Sequence, residues 1–195
     1  MILRACKAIG IAETFEQLVS LADDSEDALP LDPELIPRSI AALLGGPQEK
    51  MAHAQYLMAL ANETTDEALK SLIQVLQLAL FSNDLSQLGG DLKGEYRRAW
   101  EAIVEEVKAN SERLEIIASN TVAVLGPAAD KRSEWRDNLT ALRNQATARG
   151  DRNMLALLNA VIGLLDAGGD ASGLGNGLTG GYEKTWLAIV EKLQR

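Results

Sequence analysis

One stretch of the chain is written twice, 86 residues apart and without a gap. Residues 89–107 read GGDLKGEYRRAWEAIVEEV and residues 175–193 read GNGLTGGYEKTWLAIVEKL. Gly89, Leu92, Gly94, Tyr96, Trp100, Ala102, Ile103, Val104 and Glu105 recur as Gly175, Leu178, Gly180, Tyr182, Trp186, Ala188, Ile189, Val190 and Glu191. Shared positions that include both a tyrosine and a tryptophan mark an internal duplication. Whatever the first copy folds into, the second is expected to fold into as well.

The repeated segment has a helical period. Leu92, Tyr96, Trp100, Ile103 and Val107 step by three and four residues, as do Leu178, Tyr182, Trp186, Ile189 and Leu193. The charged side chains Arg97, Arg98, Glu101 and Glu105 fall largely on the opposite face. Asp91 or Thr179 is the expected N-cap, its oxygen accepting from first-turn N–H groups. Tyr96 with Trp100, and Tyr182 with Trp186, can be read as stacking platforms for a ligand. Sharing their face with leucine and isoleucine, they read instead as core anchors.

The rest of the chain supplies further helices. Residues 3–22 form an N-terminal helix, followed by an acidic connection, 23–34, with Pro30 and Pro33. Residues 35–44 make a short helix with Pro37 in its first turn. Residues 48–62 make the next, with Met51, Ala54, Leu57, Met58 and Ala61 inward. Thr64 and Glu67 have capping-box spacing and open a helix over 65–81. That helix and its counterpart over 151–166 are apolar almost all round, as central, buried helices are. Their pairing is Leu72, Val75 and Leu78 with Leu158, Val161 and Leu164. Ser111 is the expected N-cap of a separate helix to Leu125. Gly126-Pro127 repeats the punctuation of Gly46-Pro47, and residues 128–148 form a helix with Trp135, Leu139 and Leu142, closed by Gly150. The expectation is an all-α single domain over 1–195, with the 3–22 helix and two four-helix halves, 35–107 and 111–193.

Composition narrows the function. The chain of 195 residues is 47% apolar and 24% charged, with a net charge of −9. It is apolar enough for a core, and an acidic surface disfavours nucleic-acid backbones and anionic membranes. No apolar run approaches the roughly 18 residues of a membrane span. The opening MILRACKAIGIAETF has basic residues but no uninterrupted apolar region, so the cytoplasm is the expected compartment. A single cysteine, Cys6, in an apolar stretch, and a single histidine, His53, exclude a disulfide framework and multi-histidine metal sites. No metal or cofactor is expected. The literal G-x-G-x-x-G at Gly175, Gly177 and Gly180 follows a helix rather than a strand, and reads as a flexible turn rather than a dinucleotide loop. His53 reads as a surface or rim residue. Glu101 and Glu105, one turn apart, read as a solvated face. An enzyme is not expected.

Duplicated antiparallel helices with Gly150-Asp151 at an interhelix turn resemble the tetratricopeptide-like α-helical repeats. The segments ATARGDRNMLALLNAVIGLL and LTGGYEKTWLAIVEKL carry the resemblance. It implies a helical-repeat array, here with two repeats of about 80–86 residues, serving as a protein-interaction scaffold or adaptor. The alternative is a small-ligand sensor or small helical enzyme with a pocket between the halves. Stacked helical units cover one another's apolar faces, and terminal units need a polar cap. Leu187, standing where the first copy has Glu101, therefore marks a candidate interaction surface. Either the 3–22 helix folds back as a cap or a second molecule covers this surface, and of the two a homodimer or partner contact at the C-terminal helix is the expectation.

Overall fold

The computed structural model describes residues 31–82 and 84–194. The helix expected over 3–22, Cys6 and most of the acidic connection lie outside the described residues. The chain divides into two compact units at Pro37. Of the first unit, residues 31–37 are described. Asp32 turns the chain there, its carbonyl accepting from Leu35 N and its carboxylate from Glu34 N, both at 2.9 Å. Helix α1 (Leu35–Leu44) starts at this turn, with Pro37 where a missing N–H costs nothing.

Beyond Pro37 the fold is all-α, with no strand among the described residues. After α1 come α2 (Pro47–Glu63), α3 (Glu67–Ala79), α4 (Gly94–Leu125), α5 (Arg132–Arg149), α6 (Arg152–Asp166) and α7 (Gly180–Leu193). A 3-10 turn, Ala129–Lys131, leads into α5.

Helix α4 is the spine. At 32 residues it runs about 48 Å. Helix α7 lies along it, α3 and α5 pack on it, and α6 sits between α5 and α7. The break expected before Ser111 is absent. Ser111 Oγ donates to Val107 O at 2.9 Å instead of capping a new helix, and the buried Asn110 donates to Glu106 O at 3.0 Å. These side chains spend their polar groups inside a continuous helix. The β-branched run after it is tolerated because Ile117, Thr121 and Val124 are buried. The final helix of the first expected half and the first helix of the second are thus one element.

Helix starts also differ from expectation. Asp66, not Thr64, caps α3, accepting from Ala68 N at 2.8 Å and Leu69 N at 3.2 Å. Thr64 ends α2, and its hydroxyl accepts from Asp66 N at 3.1 Å. Asp91 is not the cap of α4, which starts after Lys93 without a side-chain cap. Helix α5 ends on Gly150 in the left-handed region, φ +69°. Asp151 then caps α6, accepting from Met154 N at 2.9 Å.

The core runs through α4, α6 and α7 and reaches Leu44 of α1. Tyr96, Trp100, Tyr182 and Trp186 are all buried. Trp100 Nε1 donates to Leu88 O at 3.1 Å. Gly89 (φ +78°) and Gly175 (φ +75°) each lie against an indole, Trp100 and Trp186 respectively, and a Cβ at either would overlap the ring. Both glycines are therefore needed for backbone conformation and for space.

Two burial expectations fail. Met51 and Met58 face solvent, and His53 and Leu57 form the buried face of α2. Helix α3 is not buried all round: it buries Leu72, Ile73, Leu76 and Ala79 but exposes Leu78. The register between α3 and α6 is also shifted by one from the 86-residue spacing. Leu72, Ile73, Leu76, Ala79 and Leu80 share their buried pattern with Leu157, Leu158, Val161, Leu164 and Leu165. The stretch from Leu165 to Gly175 is one residue longer than that from Leu80 to Gly89, which restores the 86-residue spacing at the glycines.

Candidate functional site

Four places in the sequence could carry chemistry or binding: His53, the glycine motif, the aromatic pairs and Leu187. The structure gives each a different surrounding.

His53 is buried, not at a rim; it is 6% exposed. Its Nε2 shares a hydrogen bond of 3.0 Å with the Ser39 hydroxyl, which is also buried. The imidazole stacks on Tyr56, with centroids 5.6 Å apart, and the Arg38 guanidinium lies 4.9 Å from the Tyr56 centroid. Burial first, and then the Arg38 charge, hold the imidazole down to about pKa 4. A serine within reach of a histidine has the spacing of nucleophile and base. Here both groups are sequestered, and a base of such low pKa accepts a proton poorly near pH 7.

A second bond has the same form. Trp135 Nε1 donates to the buried Thr121 hydroxyl at 3.1 Å, again between residues fourteen apart on successive helices. An indole has no basic nitrogen. What the two pairs have in common is a buried hydroxyl tied to a ring nitrogen, which staples α1 to α2 and α4 to α5.

The glycine motif opens α7 against the chain's own backbone. Gly180, at φ +60°, faces the Leu44 and Gly45 carbonyls so closely that a Cβ would overlap them. Thr179 Oγ1 donates to Glu49 Oε1 at 3.1 Å, and the other carboxylate oxygen accepts from Gly46 N at 3.1 Å. The helix start thus meets carbonyl oxygens and a carboxylate, surroundings that repel a phosphate. The equivalent Gly94, at φ +57°, has open space beside it.

The aromatic pairs are inside the fold. Tyr96 donates to the Asp66 carboxylate, and that bond is the main cause holding this carboxyl below its usual range. Tyr182 is pushed upward, first by burial and then by the charge of Asp151. Each tyrosine thus sits near the aspartate that caps a neighbouring helix, and neither presents a face to a ligand.

Leu187 is 57% exposed on the outer side of α7. A larger apolar feature lies on another helix. On α3 and the turn after it, Gln74, Gln77, Leu78 and Phe81 line an open depression of about 380 Å³. Leu78 is 61% exposed and Phe81 76%. The spacing of these four places them on one helical stripe. Its signal in the sequence is an apolar helix surface, which periodicity alone places in the core.

Among the described residues no cluster of His, Cys, Asp and Glu could hold a metal ion, and no helix is long and apolar enough to cross a membrane. No protein-family model, curated protein or solved structure matches this chain.

Proposed function

We propose that the chain is a non-catalytic helical interaction module, a scaffold or adaptor that presents the outer stripe of α3 to a protein partner. The observation that carries this reading is the exposure of Leu78 and Phe81 beside Gln74 and Gln77. A large aromatic and a leucine, flanked by amides that can bond a peptide, suit an apolar partner helix laid in a shallow groove.

The module is a duplicated, tetratricopeptide-like array in this reading. Support comes from the two aspartate caps, the two hydroxyl-to-ring staples and the two glycines under indoles. The non-catalytic assignment rests on His53, whose buried, weakly basic ring is spent on Ser39. A homodimer contact on α7 would use Leu187.

The test is capture of partners from the native cell with the wild-type chain, Leu78→Glu/Phe81→Glu and Leu187→Glu, all shown to be folded by circular dichroism. A partner retained by the wild type and by Leu187→Glu, but lost from the α3 variant, is the expected result. An identical set of proteins on all three would remove α3 as the binding face. Sedimentation of wild type and Leu187→Glu at micromolar concentration reads the self-association separately: a dimer in the first and a monomer in the second is expected, and monomers in both would remove that contact.

A further inference from the structure

We draw no further inference here: the strongest candidate, the exposed stripe of Gln74, Gln77, Leu78 and Phe81 on the outer face of α3, belongs to the site already described, and nothing in the structure shows what covers it.

Discussion

Helices α3 and α6 begin alike and end differently. Each opens on an aspartate whose carboxylate accepts from first-turn amides, and each buries the same five-position pattern. Beyond that pattern α6 also buries Ala160 and Ile162. The Leu174 side chain lies against Gly163, and Asp166 is paired with Arg136 of α5 at 2.6 Å. The matching positions of α3 hold Leu78 and Phe81, and both face solvent. In α6 a glycine admits the loop and a charge meets the neighbouring helix. In α3 two large apolar side chains occupy those positions and meet neither. An apolar helix is therefore not buried in proportion to its composition; what packs beside it decides.

The staples differ in a related way. Thr121 with Trp135 contains no group that titrates in acid, whereas Ser39 with His53 contains an imidazole whose pKa is lowered from 6.5 to about 4. The same mechanical link is insensitive to pH between α4 and α5 and acid-sensitive between α1 and α2.

Four experiments would break or sharpen these comparisons. The largest effect is expected at the indoles. Trp100→Ala and Trp186→Ala should each cost roughly 3–5 kcal/mol in denaturant unfolding, as truncated core aromatics do. An unchanged midpoint for either would remove it from the core frame.

Next come Gly180 and Gly94. Each has a positive φ, which alone costs an alanine about 1–2 kcal/mol. Gly180→Ala must in addition displace the Gly45 backbone, so it should be clearly the more damaging by thermal melting. Equal losses would contradict the close seating of α7 on the α1–α2 corner.

A smaller effect is expected from acid. The folded-state pKa of His53 lies near 4, below its unfolded value of 6.5. The unfolded chain therefore binds the extra proton first. The contribution is fully present above about pH 6.5 and is lost as pH falls from there towards 4, with about 1–2 kcal/mol lost by pH 5. Stability measured from pH 7 to 5 should show this slope, and His53→Phe should flatten it relative to the wild type. A slope unchanged in the variant would exclude His53 as its source.

Much of the frame was legible in the sequence. The repeat located Tyr96, Trp100, Tyr182 and Trp186 on the apolar face of their helices, and glycine punctuation located the turns at Gly45-Gly46 and Gly150. Three things were not legible. Ser111 has the chemistry of a cap, but its hydroxyl can equally bond the carbonyl four residues back, and only tertiary burial of Ile117 and Val124 favours the continuous helix. Met51, Met58 and Leu78 are apolar by type, and periodicity cannot tell an inner stripe from an outer one when both are apolar. A lone histidine gives no pattern, so the sequence does not place His53 in the interior. Its partner Ser39 lies on another helix, and the matching Thr121–Trp135 pair has different residue types.

The smallest expected effect tests the central claim most directly. That claim is that Leu78 and Phe81 on the outer stripe of α3 are free, whereas Ile162 and Gly163 on the matching stripe of α6 are covered. Leu78→Glu/Phe81→Glu should shift the unfolding free energy by no more than about 0.5 kcal/mol, as surface substitutions do. Ile162→Glu on α6 should cost several times that, because it buries a charge without a partner. A loss of about 2 kcal/mol or more in the α3 double variant would show that the chain itself buries this stripe, and would contradict the account.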